Sequence, residues 1–183
     1  MRANIIIHSI SGNLYLIADT FAEKLKERGM DARIYCVSDP DLHLAANEKT
    51  EAIEYYEEIT ALPEATPEKL ASADLIILGT PSRFGMPTAE MKAFLDSTWN
   101  QFLKSSLAGK KFYAYASTTI DENDGRRAVS GLYRWAEMMQ LYPVPFEPYI
   151  HLESEIMPQR PSEMIDTVAE KLAEMASLPD LGL

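Results

Sequence analysis

The run Asn4-Ile5-Ile6-Ile7-His8-Ser9-Ile10-Ser11-Gly12-Asn13-Leu14 decides the fold. Its first half is a short apolar stretch without clean alternation, the pattern of a strand buried on both faces, as in a parallel sheet. A turn follows over Ser9–Asn13. Leu14, Ile17, Ala18, Phe21, Ala22 and Leu25 then recur at spacings of three and four, which predicts an amphipathic helix. The helix stops at Arg28-Gly29, a basic last turn followed by a C-cap glycine. Ala32-Arg33-Ile34-Tyr35-Cys36-Val37 reads as the next strand. Strand, helix and strand within about 35 residues form a βαβ unit, whose crossover is right-handed.

The alternation continues outward. Ser38 to Ala65 is the least regular stretch and reads as a long loop with a short helix; it carries the acidic Glu51–Glu58 region with Tyr55-Tyr56. Thr66-Pro67 opens a brief helix with N-cap and N1-proline signals. Asp74 to Pro81 is a third buried strand, Pro87 to Leu95 a helix, and Lys111 to Ser117 a fourth strand. Gly125 to Met139 is a helix with Val129, Leu132, Trp135, Ala136 and Met139 on one face. Tyr142-Pro143-Val144-Pro145 is interrupted by proline and belongs on a sheet edge. The last helix runs from about Pro161 to Met175, with Met164, Ile165, Val168, Ala169 and Leu172 inward. This order predicts a doubly wound, five-stranded α/β sandwich in a single domain, 1–183.

Composition narrows the function. The chain has 183 residues, 17 Lys+Arg against 28 Asp+Glu, and a net charge of −11. No basic stripe is available to displace counterions from nucleic acid, and an anionic lipid surface is equally disfavoured. Cys36 is the lone cysteine, and His8, His43 and His151 are scattered, so neither a disulfide nor a metal cage is expected. The opening residues lead almost directly into Ile5-Ile6-Ile7 without a secretory leader pattern, and no apolar run approaches a membrane span. The expectation is a cytoplasmic globular domain.

In folds of this class ligands sit beyond the carboxyl ends of the strands, where strand order reverses. Three loops fall there. Ser9-Ile10-Ser11-Gly12-Asn13-Leu14 joins a buried strand to a helix start, whose free N–H groups and dipole favour an anion. Ser9, Ser11 and Asn13 can donate to phosphate oxygens, and Gly12 lets the backbone come close. No Lys or Arg lies in the loop, which suits a dianionic phosphomonoester held by dipoles and hydroxyls. It is neither a Walker A loop nor a GxGxxG fingerprint. The alternative is that Ser11 or Asn13 simply caps the helix. The second loop, Gly79-Thr80-Pro81-Ser82-Arg83-Phe84-Gly85-Met86-Pro87, is too rich in turn formers for strand or helix. It can line the edge and face of a planar ring, or serve as a plain connection with Arg83 solvated. The third, Ser117-Thr118-Thr119-Ile120-Asp121-Glu122-Asn123-Asp124-Gly125, offers hydroxyls that can reach ring or ribityl polar groups, and Asp121, Glu122 and Asp124 read as a solvated acidic turn that also caps the next helix.

These loops, with Met91-Lys92-Ala93-Phe94-Leu95-Asp96 and Leu107-Ala108-Gly109-Lys110, resemble the flavodoxin-like superfamily. Within it the chain is most similar to WrbA-type NAD(P)H:quinone oxidoreductases and NADPH-dependent FMN reductases, over about residues 3 to 125. The resemblance implies a flavodoxin-like three-layer sandwich with a parallel sheet of order 2-1-3-4-5 and non-covalent FMN. It implies that Ser9, Ile10, Ser11, Gly12, Asn13 and Leu14 hold the phosphate. Thr80, Pro81, Ser82, Arg83, Phe84 and Gly85 then meet the isoalloxazine, and Ser117, Thr118, Thr119 and Ile120 form the third wall. Phe102 stands where the family has a tryptophan near the quinone pocket. The implied chemistry is flavin-centred: hydride passes from NAD(P)H to the flavin and on to a quinone or similar acceptor, with no catalytic side chain required. A homodimer or homotetramer is implied. The chain departs from the pattern in its carboxylate-rich third loop and in Met138–Met139, where a ring-contacting histidine is missing. Two rivals follow, a flavodoxin-type electron carrier docking a redox partner, and a flavin-less binding protein.

Single residues read more plainly. Tyr15 is a helix-surface aromatic, Cys36 a small buried hydrophobe without a cation to activate it, and His8 a satisfied structural histidine. Arg126 and Arg127 are expected to pair with Asp121 or Asp124. Met138 and Met139 are expected in core or interface packing, and Tyr55-Tyr56 in an oligomer contact or pocket lid.

Overall fold

A computed structural model of the chain describes residues 1–44, 55–153 and 162–177. Part of the acidic run, 51–54, lies outside those residues, as do Pro161 and the side chain of Met164.

The first unit is β1 (Arg2–Ile7), α1 (Asn13–Glu27) and β2 (Asp31–Cys36). Ile5 and Ile7 face one core and Ile6 the other, and all three are fully buried. That explains the continuous apolar run: each side chain, whichever way it points, meets a helix layer, and its burial contributes about 1.5–3 kcal/mol. Gly29, at φ +80°, ends α1 as expected. Next come α2 (Tyr56–Ala61) and α3 (Pro67–Ala71). After β3 (Leu75–Arg83) and β4 (Met86–Pro87) come α4 (Ala89–Ser97) and α5 (Trp99–Leu103). The chain closes with β5 (Lys111–Thr118), α6 (Glu122–Met138), β6 (Tyr142–Pro143), β7 (Ile150–Leu152) and α7 (Ser162–Ser177).

The main sheet path is β2-β1-β3-β5-β6, parallel throughout, with β7 also parallel to β5 and β4 antiparallel to β3. The expected 2-1-3-4-5 order is therefore observed, with two refinements. The fifth strand is in two pieces: its register jumps from Phe112–Pro143 to Ala116–Ile150, because prolines flank extra chain that cannot pair continuously. Tyr113 pins that extra chain, donating its hydroxyl to the Glu147 carbonyl and accepting from the Tyr149 amide. The third strand also runs on past Pro81 into a hairpin. One face of the sheet packs Leu14, Ile17, Phe21 and Leu25 of α1 with Ile165, Ala169 and Leu172 of α7. The other packs Met91 and Phe94 of α4 with Val129, Leu132 and Ala136 of α6. Among the described residues no helix is long and apolar enough to cross a membrane.

Candidate functional site

Strand order reverses between β1 and β3, which leave the sheet side by side. In sheets of this kind the ligand crevice lies there, at the carboxyl ends, and in this chain the loop after β1, the β3–β4 hairpin and the segment after β5 flank that place.

The first wall ends in Gly12, the residue before α1, in the left-handed conformation at φ +88°. A side chain there is both strained and blocked, since an added Cβ would meet the Tyr55 ring at 2.4 Å. No side chain of the N-cap residue covers the helix start. Ser9 Oγ accepts from the Tyr15 amide and the Gly12 carbonyl accepts from Leu16. The amides of Gly12, Asn13 and Leu14 thus find no acceptor among the described residues. Ser9 is buried and does the capping, so the capping alternative holds at that residue rather than at Ser11 or Asn13. Asn13 donates to Ser11 Oγ at 3.3 Å, and Ser11 donates to Glu153 Oε1 at 3.3 Å. Leu14 is core and offers only its backbone, while Ile10 is half-buried.

The second wall corrects the sequence reading. Thr80 to Arg83 is strand, not turn: Pro81 pairs with Ser117, Ser82 with Pro87, and Arg83 with Met86. Phe84 (φ 56°) and Gly85 (φ 72°) alone make the two-residue turn, both left-handed as a tight hairpin demands. Because the strand is buried, Thr80 and Ser82 face inward. Thr80 Oγ1 donates to the Pro81 carbonyl and accepts from the Thr88 amide, and Ser82 donates to the Asp124 carbonyl. Arg83, Phe84 and Met86 are the exposed side chains, Phe84 at 87%.

The third wall is shorter than expected. α6 begins at Glu122, three residues before the predicted start, because Asp121 accepts from the Asp124 amide and caps it. Asp124 is not solvated but buried, held by the Thr118 hydroxyl at 2.9 Å. Arg126 pairs with Glu122 and Glu147 instead of Asp121 or Asp124. Thr119 and Ile120 stay exposed at the crevice. Ser117 is 1% exposed and its hydroxyl has no partner. By strand alternation it shares the face of Tyr115, whose hydroxyl reaches the Leu14 carbonyl.

The structure thus gathers the three loops and leaves Phe102 apart. Phe102 stacks on Trp99 at 5.0 Å, beside Trp135, which packs on Phe112 near the start of β5. The length of β5 from Phe112 to Thr118, about 20 Å at roughly 3.3 Å per residue, separates it from the crevice within one chain.

Several site-forming contacts were not foreseen. His8 is buried, with Nε2 3.0 Å from Asp39 Oδ2 and Nδ1 2.8 Å from Thr88 Oγ1. This has the composition of a hydrolytic triad, but Thr88 is buried and caps α4 through the Met91 amide, so the group pins the first loop to the β4–α4 junction. Burial pushes the Cys36 thiol up to about 11, against the pull of the Ser9 amide. That excludes an activated thiolate. Glu153 and Tyr55 also border the first loop. No spacing rule could find contacts spanning such sequence distances.

The arrangement fits a phosphorylated planar cofactor. The amides of Gly12, Asn13 and Leu14 lie beyond the Ser9 cap, a left-handed glycine lets the Tyr55 ring lie against the loop, the buried Ser117 hydroxyl stands unpartnered, and apolar Phe84 and Ile120 are exposed on the other two walls.

Comparison with known proteins agrees with this geometry. A family model described as NADPH-dependent FMN reductase matches residues 1–154. The chain is 36% identical over 122 residues to an NAD(P)H dehydrogenase (quinone) of Geobacter sulfurreducens, covering 64% of this chain and 58% of that protein. A similarly named protein of Archaeoglobus fulgidus is 31% identical over 119 residues, covering 65% and 62%. The chain therefore spans less than two thirds of the length of these relatives. In structure it resembles a flavodoxin, WrbA-like protein of Agrobacterium tumefaciens, with TM-score 0.69, 18% identity and 96% coverage of both chains. It also resembles oxidised flavodoxin 1 of Bacillus cereus, with TM-score 0.63, 18% identity and coverage of 96% and 95%. A family model matched over residues 1–154, on a sheet of flavodoxin-like order, establishes that the chain belongs to the NADPH-dependent FMN reductase family.

Proposed function

We propose that the chain binds FMN non-covalently in this crevice and, in the cytoplasm, acts as an oxidoreductase passing electrons from NAD(P)H to a quinone or similar small acceptor. The observation that supports this reading is the first wall: amides at Gly12, Asn13 and Leu14 with no acceptor among the described residues, flanked by the Ser11 and Asn13 side chains, at the reversal of a parallel sheet. When bound, the flavin supplies the redox chemistry. The chain's residues do the rest. The α1 amides and the Ser11 hydroxyl bind the phosphate. Phe84 and Ile120 exclude water around the ring, and Arg83 places a cation beside it. Asp124, bonded from Thr118 and Ser82, holds the second and third walls at a fixed spacing.

The test is the purified, FMN-loaded protein. Flavin absorbance and quinone-driven NAD(P)H oxidation are expected; no turnover with either pyridine nucleotide overturns the enzyme reading. Ser11→Ala with Asn13→Ala is expected to weaken FMN more than riboflavin, and equal loss of both misplaces the phosphate.

The net charge of −11 favours a second reading, a one-electron carrier docking a basic redox partner. Salt-sensitive electron delivery to a basic acceptor protein without pyridine-nucleotide turnover supports it. We also propose a homodimer or homotetramer, supported by exposed Trp99, Leu103 and Met138 around Phe102. Light scattering that gives a monomer overturns that proposal.

A further inference from the structure

We propose that Glu153 is a resident carboxylate of the phosphate cradle, which occupies the Ser11 hydroxyl when no phosphate is bound and limits by its charge how tightly the loop takes a phosphomonoester. The proposal rests on the phosphate-loop reading above. Glu153 is placed by the sheet rather than by chance. Leu152 pairs with Thr118, and the Glu153 amide donates to the Thr118 carbonyl at 2.8 Å. From that anchor its carboxylate reaches across to the first wall and accepts from Ser11 Oγ at 3.3 Å, while Asn13 donates to the same hydroxyl. Ser11 stands beside the free amides of α1, so the carboxylate lies where the helix start favours an anion.

Among the described residues the charge has no local counterweight. The first loop contains no Lys or Arg, and Arg126 is committed to Glu122 and Glu147. Among the described residues no cation pairs with Glu153. A phosphate dianion entering the cradle must take the Ser11 proton from this carboxylate and then sit beside its negative charge. A neutral flavin lacking the phosphate meets neither cost. Glu153 thus bears on the phosphate end of the ligand alone, and it makes FMN a more readily exchanged ligand than the cradle's amides would otherwise allow.

The test compares wild type with Glu153→Gln, which keeps size and removes the charge, and with Glu153→Ala, which removes the group. FMN and riboflavin dissociation constants are read by flavin fluorescence quenching. Inorganic phosphate binding is read from the Gly12 amide NMR shift. FMN and inorganic phosphate are expected to bind about tenfold tighter to both variants, with riboflavin within about twofold of wild type. Unchanged or weaker FMN and phosphate binding in both variants overturns the proposal. So does riboflavin tightening as much as FMN, which would place the effect at the ring. If the variants take inorganic phosphate more tightly but no protein takes either flavin, Glu153 keeps its role and the flavin reading fails. If neither phosphate nor FMN binds any of the three, both fail.

Discussion

At the scale of single residues, His8 bears more of the site's architecture than any side chain that faces the crevice. Its ring joins the end of β1 to Asp39 after β2 and to Thr88 before α4, and the His8 and Asp39 side chains are 1% and 8% exposed. The Asp39 carboxylate can only accept, so the ring directs Nε2–H at it, while Nδ1 meets the Thr88 hydroxyl that also accepts from the Met91 amide. Removing the ring strands a buried carboxylate and a buried hydroxyl together. His8→Ala is expected to cost about 2–4 kcal/mol in urea unfolding with an unchanged m-value. A loss below about 1 kcal/mol would show that water replaces the ring without penalty. Cys36 gives a second prediction. Burial raises its thiol from 9.0 to about 11. The folded state favours the neutral thiol, so its contribution is full below pH 9 and is lost as pH rises from there through 11. At pH 8 the native thiolate fraction is about a hundredfold below that of a free cysteine. Alkylation is expected to be correspondingly slow in buffer and normal in denaturant.

At the scale of elements, the β3–β4 hairpin departs most from what its sequence favours. Phe84 occupies a left-handed position at φ 56°, 87% exposed, where glycine or asparagine is at ease. Phe84→Gly is expected to raise stability by about 1 kcal/mol in thermal unfolding and to weaken riboflavin as much as FMN, since the side chain serves the ring end. A loss of stability would show that the phenyl ring packs more than it strains. The same hairpin marks where the sequence stops speaking. The β1–α1–β2 unit was legible because its signals are local: an apolar run, a 3.6-residue period and a terminal glycine within one short stretch. The three site loops were legible because a parallel sheet fixes which turns share an end. Thr80-Pro81-Ser82 read as turn because its residue types favour turns, whereas pairing with Ser117 and Pro87 makes it strand. Asp121 to Asp124 reads as an acidic turn ahead of a helix that starts at Gly125, whereas Asp121 caps the helix at Glu122 and Gly125 sits inside it, where the missing Cβ lets Ile150 pack within 2.5 Å of its place. The contacts of Ser11 with Glu153 and of Ser82 with Asp124 join residues far apart in the chain, and only the closed sheet brings them together.

At the scale of the whole molecule, an acidic protein is asked to hold a dianion. The chain carries a net charge of −11, and the cradle contributes amides and hydroxyls but no cation. Two electrostatic terms then act with opposite sense. The short-range attraction of the helix start and the hydrogen bonds operate at contact, where salt screens little. The long-range repulsion of the molecule operates through solvent over a Debye length of about 10 Å at 0.1 M salt, where screening is effective. A site built on Lys or Arg would lose affinity as salt rises. This one is expected to keep or gain it, by up to about threefold between roughly 0.02 M and 0.5 M sodium chloride. Binding also links to folding, because the walls after β1, β3 and β5 exist only in the assembled sheet. At about 100 times the dissociation constant, FMN is expected to add about 2.7 kcal/mol, a rise in Tm of about 5–10 °C for a chain of this length. Thermal unfolding with and without FMN at both salt concentrations measures both effects at once. A Tm increment that shrinks steeply with salt would place a cation in the phosphate site and contradict the amide cradle. An increment that holds or grows is what a sheet-end helix start inside an acidic molecule requires.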